Sequence, residues 1–284
     1  MTETSRAVLI TGCSTGIGRA TAERLADNGL MVYASARNVE SIADLESKGC
    51  RLLALDVNSE ESMRAAVAVV EEAEGVVGAL VNNAGYSQSG AVEDVALESI
   101  RRQFDTNVFG LIRMCQLVLP GMRRQGRGRI VNVGSMGGKL TFPGGGIYHA
   151  TKHAVEAISD ALRFEVEGFG VDVALIEPGL IRTQFAETAG VQIDKATSQA
   201  GPYAEFNAAV AKSTAEAYDG PLGKLGGGPE TVAKAIEHAV TSKRPKIRYP
   251  VTPSARLIMT QRKLMTDRMW DRFVGTQFPK PGKS

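Results

Sequence analysis

The sequence predicts an α/β fold, a doubly wound parallel sheet built in one domain. Three observations predict it. Short, wholly apolar runs suited to burial on both faces recur along the chain. They alternate with segments of helical periodicity. The turn after each run is polar or rich in glycine, beginning with Gly12-Cys13-Ser14-Thr15-Gly16-Ile17-Gly18. In sheets of this kind ligands bind beyond the carboxyl ends of the strands.

The first strand is Ala7-Val8-Leu9-Ile10, and the glycine loop follows it at once. Arg19 to Asn28 reads as a helix with Ala20, Ala22, Leu25 and Ala26 on its apolar face, closed by Gly29. Leu30 to Ser35 is the second strand, which completes a unit of βαβ length. Glycines let the backbone turn tightly and approach a pyrophosphate, and a helix N-terminus offers free N–H groups and the positive end of its dipole. The spacing here is Gly-x-x-x-Gly-x-Gly instead of the commoner Gly-x-Gly-x-x-Gly. The same stretch also reads as a plain strand-to-helix turn.

The tip of the second strand selects between dinucleotides. An Asp or Glu there holds the ribose 2′-hydroxyl of NAD. The tip reads Ser35-Ala36-Arg37-Asn38, with no carboxylate. The guanidinium of Arg37 suits a 2′-phosphate, so NADP(H) is expected ahead of NAD(H). Glu40 is the competing residue, and a solvated surface arginine is the competing reading of Arg37.

Arg51 to Leu55 is the third strand, ending at Asp56-Val57, and Ser59 caps the helix after it. Ala79-Leu80-Val81 leads into Asn82-Asn83-Ala84-Gly85. Leu97 to Met122 reads as one long helix with Asn107 inside it, where propensity does not favour an asparagine. Ile130 to Val133 is the fifth strand, ending at Gly134-Ser135. The sixth is Val171 to Ile176, followed by Pro178-Gly179. Pro229 to Thr241 is a helix opened by proline. Lys246 to Val251 is a last edge strand. Ser254 to Phe273 reads as one amphipathic helix with Leu257, Ile258, Leu264, Met265, Met269 and Phe273 on one side. Packing on the body, closing a substrate pocket and lying on a membrane surface are its three competing roles, in that order.

Composition narrows the class. The chain has 284 residues, 43% hydrophobic and 23% charged, with a net charge of +2. That charge is too small to argue for nucleic acid. Three cysteines without a Cys-x-x-Cys argue against a disulfide framework or a zinc site and fit a reducing cytoplasm. No apolar segment reaches the ~18 residues of a transmembrane helix. No metal site is expected, and His149 and His153 read as helix-surface residues.

Tyr148 and Lys152 stand four residues apart, on one face of a helix if the stretch is helical. A nearby ammonium favours a phenolate and lowers its pKa. Bringing a phenol from ~10 to neutrality takes roughly 4 kcal/mol at about 1.36 kcal/mol per unit. One lysine supplies part of that and a cationic cofactor ring the rest. Alone, the pair also reads as an exposed helix face.

With Gly12 to Gly18, Asp56-Val57, Asn82 to Gly85, Asn107, Ser135, Tyr148, Lys152 and Pro178-Gly179 in this order and spacing, the chain resembles the short-chain dehydrogenase/reductase family. The likeness is close over residues 6–185 and extends in outline to the whole chain. The C-terminal half looks, more weakly, like the branch acting on hydroxysteroids and retinoids. The resemblance implies a Rossmann-like fold and a hydride transfer coupled to a proton relay. Tyr148 would be the general acid in reduction and the base in oxidation. Lys152 would lower its pKa and bond the nicotinamide ribose, and Ser135 would hold the substrate oxygen. Asn107 would hold a water linking Lys152 to solvent. Gly12, Ser14, Thr15, Gly16, Ile17, Gly18 and Arg37 would hold the cofactor's phosphates. Asp56 and Val57 would meet the adenine, and Asn83, Ala84 and Gly85 would line the cofactor. Pro178, Gly179, Ile181 and Thr183 would flank the nicotinamide. Homodimers or homotetramers are implied as well.

Residues 184–228 read as a substrate lid, whose Phe185, Tyr203, Phe206 and Tyr218 either wall an apolar ligand or anchor the lid. The expected function is an NADP(H)-dependent oxidoreductase for a secondary alcohol or ketone on a largely apolar small molecule. A 3-oxoacyl reductase is the alternative within enzymes. A nucleotide-sensing scaffold is the alternative outside them.

Overall fold

A computed structural model describes residues 5–183, 201–218, 220 and 222–282. Burial of the apolar runs on both faces of the central strands, with more exposed strands at the two edges, gives seven parallel strands among the described residues. These are β1 (Val8–Ile10), β2 (Val32–Ala36), β3 (Arg51–Ala54), β4 (Ala79–Asn82), β5 (Gly128–Val133), β6 (Val171–Glu177) and β7 (Arg248–Pro250). Their order in the sheet is β3-β2-β1-β4-β5-β6-β7. The direction of strand growth reverses between β1 and β4, which opens a crevice at the carboxyl edge there.

Alternate side chains of each strand feed opposite cores. Val8 and Ile10 face α1 (Gly16–Asp27), which brings Ala22 and Leu25. Leu9, Leu80 and Ile130 face α2 (Glu60–Glu74) with Met63 and Val67. Ser59 caps α2 by accepting a hydrogen bond from Ser62 N, as its sequence position implies.

The predicted helix over 97–122 is helical throughout but not uniform. It consists of α3 (Leu97–Phe104), a π-helical turn (Asp105–Phe109) and α4 (Gly110–Gln125). Asn107 lies in the π turn, where an extra residue per turn re-aims side chains. Then comes α5 (Gly146–Glu167), which carries Tyr148 and Lys152 one turn apart. A chain of buried amides ties this region together. Asn82 donates to Asn132 across paired strands at 3.0 Å, and Asn132 donates to Ser159 of α5 at 2.9 Å.

Of the expected lid, residues 184–200, with Phe185, lie outside the described residues. α6 (Ala204–Glu216) docks through Asn207, which accepts from Ala91 N at 2.9 Å and donates to Asp94 at 2.8 Å. Tyr203 and Phe206 pack around this contact, so they anchor the segment to the body. The helix α7 (Pro229–Thr241) has the expected limits.

The C-terminal stretch differs from expectation. It forms two helices, α8 (Pro253–Leu264) and α9 (Asp267–Val274), because Met265 is extended and Thr266 starts a new helix by accepting from Met269 N. Threonine followed by aspartate is a helix-start signal, and it overrides the apolar spacing. The predicted apolar side is not one face. Ile258 is buried, whereas Leu264 is 78% exposed. Trp270 is the anchor that the spacing missed. It is buried against Leu140, Ile258 and Val274, and its indole N–H donates to Thr141 O at 3.0 Å. Among the described residues no helix is long and apolar enough to cross a membrane.

Replacing Trp270 by alanine should therefore cost about 3–5 kcal/mol. Urea unfolding followed by circular dichroism tests this, since the substitution removes the single tryptophan. A midpoint unchanged from the parent would contradict the anchoring role.

Candidate active site

The ends of β1 to β6 deliver the site. The turn after β1 uses Gly12 at φ 74° and Gly16 at φ 58°, backbone conformations that side chains disfavour. Gly18 matters for space instead. A Cβ there would lie 2.2 Å from Gly12 O and 2.5 Å from the Asn83 amide nitrogen. Asn83 braces the loop by donating to Thr11 O and Gly12 O, both at 3.0 Å. Thr11 Oγ1 accepts from the backbone N–H groups of Asn83 and Ala84. Thr11 was not singled out by sequence, although its place before Gly12 at a strand end is the signal that marks it.

A continuous cleft of about 940 Å³ follows. It is lined by Gly12, Ser14, Thr15, Gly16, Ile17 and Arg37 at one end, then by Asp56, Val57, Asn83, Ala84 and Gly85. Ser135, Tyr148, Lys152, Pro178, Gly179, Ile181 and Thr183 line the other end. Two expected residues stand behind the wall. Gly18 is the close-packing glycine just described. Asn107 is 2% exposed, accepts from Tyr86 N at 3.0 Å, and donates to Tyr86 O at 2.9 Å and Thr151 Oγ1 at 3.1 Å. Its side chain thus fastens the loop after β4 to α5.

Beside the cleft a second cavity of about 450 Å³ is bounded by Ser14, Ala36, Arg37, Asn38 and Ser41. Arg37 is exposed and forms no ion pair among the described residues. The competing Glu40 lies in a short helix, where its N–H donates to Asn38 Oδ1.

At the other end, Tyr148 hydrogen-bonds Ser135, and the Ser135 hydroxyl accepts from Gly137 N at 3.0 Å. Lys152 Nζ stands 5.8 Å from the centre of the Tyr148 ring and donates to Val133 O at 2.9 Å. The expected lowering of the Tyr148 pKa by Lys152 is not what the protein groups produce. Burial pushes Tyr148 up to about 12, against the opposing bond to Ser135. Burial lowers Lys152 to about 8. The low-dielectric setting disfavours both charges.

His149 corrects the surface assignment. It is 8% exposed, lines the cleft, and its Nδ1 lies 3.0 Å from Gly137 O. Burial lowers its pKa to about 4. Glycines at 137 and 145 make room for its ring, since a Cβ at either would come within 2.8 Å of it. His153, one turn on, is exposed as expected. Tyr86, Met136 and Tyr218 also line the cleft. Of these only Tyr218 was a candidate, and Tyr86 could have been found from its place directly after Gly85.

The wall that carries Pro178 is braced from behind. Ile181 pairs with Gly227 in an isolated bridge. A Cβ on Gly179 would meet Thr252 Oγ1 at 2.4 Å. Thr252 itself holds φ 95°, a conformation costing about 1–3 kcal/mol for such a residue. Its side chain caps α8 by accepting from Ala255 N.

A dinucleotide-type cleft ending in Ser135, Tyr148 and Lys152 defines a class, and the comparisons name it. The family model for short chain dehydrogenase matches residues 6–193. The uncharacterized oxidoreductase YbbO of Escherichia coli (strain K12) is 35% identical over 271 residues, 95% of this chain and 94% of that one. The 3-ketodihydrosphingosine reductase of Bacteroides thetaiotaomicron is 35% identical over 90% of this chain and 91% of its own. The NADPH-dependent 3-dehydrocapnine reductase of Ornithobacterium rhinotracheale is 34% identical over 94% and 95%. A short-chain dehydrogenase structure from Streptomyces avermitilis superposes with a TM-score of 0.77 at 33% identity, covering 90% of this chain and 92% of that one. The chain belongs to the short-chain dehydrogenase/reductase family and is an NAD(P)-dependent oxidoreductase.

Asn107→Leu should remove the partner of the half-buried N–H of Tyr86 and cost about 1–3 kcal/mol. Chemical denaturation measures it. Parent-like stability would mean that the amide is not the fastening.

Proposed function

We propose that the protein is an NADP(H)-dependent reductase of ketones on largely apolar molecules, working reversibly on the corresponding secondary alcohols. The observation that carries the reading is the single cleft that runs from the glycine turn to the Ser135–Tyr148–Lys152 cluster. The residues fit the cofactor. The turn through Gly12 and Gly16 lines the cleft at the N-terminus of α1, which leaves room for a pyrophosphate beside free N–H groups. The cavity bounded by Ser14, Arg37, Asn38 and Ser41 supplies a cation and hydroxyls for a 2′-phosphate. The NADPH dependence of the Ornithobacterium relative supports it.

When bound, the nicotinamide supplies the hydride. The protein's part is binding and proton transfer. Ser135 orients the substrate oxygen toward the Tyr148 hydroxyl, to which it is already bonded. Tyr148 is protonated across the neutral range by virtue of its burial, the form required of an acid delivering a proton to a carbonyl. Lys152, held by Val133 O, adds a positive charge that stabilises the phenolate left behind. The oxidative direction needs that phenolate, and a cationic nicotinamide ring beside Tyr148 favours it more.

The substrate is assigned to the class of long-chain or polycyclic ketones. Met136, Tyr86, Leu180 and Tyr218 give the cleft apolar wall beside Tyr148. Two of its relatives are reductases of 3-ketodihydrosphingosine and 3-dehydrocapnine, which favours a long-chain 3-ketone ahead of a steroid or retinoid. A panel of long-chain aminoketone, steroid, retinoid and acyl-thioester ketones, followed by NADPH absorbance, tests this. Preference for the acyl thioester would replace it with a 3-oxoacyl reductase.

Tyr148→Phe should lower kcat by roughly 10²- to 10⁴-fold with NADPH binding retained. Parent-rate turnover would remove Tyr148 from the chemistry. Arg37→Ala should weaken NADPH by roughly 10- to 100-fold, the loss of a charge-assisted bond, and leave NADH unchanged. Steady-state kinetics with both cofactors decides it, and an unchanged NADPH preference would count against Arg37.

A further inference from the structure

One turn beyond Lys152 on α5, Glu156 is buried in a charged cluster that the reaction does not use. Lys139 Nζ, from the segment after Ser135, lies 2.5 Å from Glu156 Oε2. Arg248 of β7 reaches the same oxygen at 3.0 Å and Asp160 at 2.7 Å. Asp160 is also paired with Arg163. Both cations thus fall on one oxygen of Glu156. Its other oxygen, Oε1, is buried and takes no donor among the described residues.

Glu177, the last residue of β6, is 2% exposed, and its Oε1 is likewise buried without a donor. Arg248 Nε stands 3.7 Å away, beyond hydrogen-bond range. The two carboxyl groups are nevertheless neighbours, since one Arg248 guanidinium stands 3.0 Å from Glu156 Oε2 and 3.7 Å from Glu177 Oε1. Two ionised carboxylates are acceptors only, and a bond between them needs one proton. One proton on the pair would supply the donor that these orphaned oxygens lack. Glu156 already serves two cations as an anion, so the proton belongs to Glu177. Burial, then the charge of Glu156, pushes the Glu177 carboxyl up to about 7, while Lys139 and Arg248 oppose this.

We infer that Glu177 is a positioning residue that acts as a protonated acid, donating to Glu156 and so holding the end of β6 against the helix that carries Tyr148 and Lys152. The seam it closes joins three segments of the site. Lys139 follows Ser135, Glu156 follows Lys152, and Glu177 precedes Pro178, whose carbonyl accepts from Met136 N at 2.9 Å. When Glu177 loses the proton, two anions face each other across this seam. Tyr148 then moves relative to the Pro178–Gly179 wall. The groups facing the pair are Lys139 after β5, Asp160 on α5 and Arg248 on β7, with Arg163 acting through Asp160.

The sign follows from the raised pKa. The protonated pair contributes stability that is full below the ordinary glutamate range and is lost as pH rises through about 7. Glu177→Gln keeps a donor at every pH. Its melting temperature minus that of the parent should increase from pH 5 to pH 8, and groups that titrate alike in both proteins cancel in the difference. For a group titrating at about 7, the protonated fraction falls about tenfold between pH 6 and pH 8. The ratio of kcat/KM, variant to parent, should rise by up to that factor, and Glu177→Ala should not restore it.

The activity measurement rests on the proposed reductase function, so infrared difference spectroscopy provides an independent reading. The parent at pH 6 should show the carbonyl band of a buried protonated carboxyl that disappears by pH 8, and the variant should lack it. A band that persists in Glu177→Gln, or is absent from the parent, overturns the inference whether or not any ketone is reduced. So does a melting difference that stays flat with pH.

Discussion

The buried amide chain from Asn82 through Asn132 to Ser159 is the constraint on which the site depends. It crosses β4, β5 and α5 where no water competes. Each amide left unpaired there would cost about 1–3 kcal/mol, so the two strands and the helix keep one mutual register. That register sets Asn83 beneath the glycine turn, Ser135 at the end of β5, and Tyr148 within hydrogen-bonding reach of Ser135. A slip of one residue along either strand would turn these side chains to the opposite face.

Electrostatics then divides the site into two regimes. At the Arg37 end the groups are exposed and solvated, and charge serves to attract and discriminate a ligand. At the Tyr148 end they are buried, and the same low dielectric that raises the phenol pKa strengthens any later interaction with a cationic ring. The lysine answers to two masters there. Its bond to Val133 O fixes where its charge stands, while burial weakens that charge. The seam behind them, from Lys139 through Glu156 and Glu177 to Arg248, adds two more buried carboxyls, one a turn beyond Lys152 on α5 and one at the end of β6.

Much of this was legible in the sequence because its signals are local. Apolar runs bounded by Gly12, Asp56, Asn83, Ser135 and Pro178 mark strand ends without knowledge of the fold, and those residues meet in one cleft. What escaped was decided by partners distant in the chain. His149 looks like a polar residue on a helix surface until Gly137 and Gly145 make room for its ring. Trp270 breaks the apolar spacing around it and becomes an anchor because Leu140 and Ile258 pack on its ring and Thr141 O accepts its N–H. Thr266 did carry a local start signal, but the longer apolar pattern across it masked the break between α8 and α9.

The sequence by itself determined the parallel α/β architecture, the glycine turn, and the order in which the candidate site residues reach the carboxyl edge. Periodicity and turn chemistry are written residue by residue, so a single chain suffices to read them. The tertiary structure alone decided the protonation landscape. Whether Tyr148 is neutral, how Lys152 is held, and which of Glu156 and Glu177 carries a proton all depend on burial and on distances between segments far apart in the chain. Those quantities come into being only when the chain has packed and water has left.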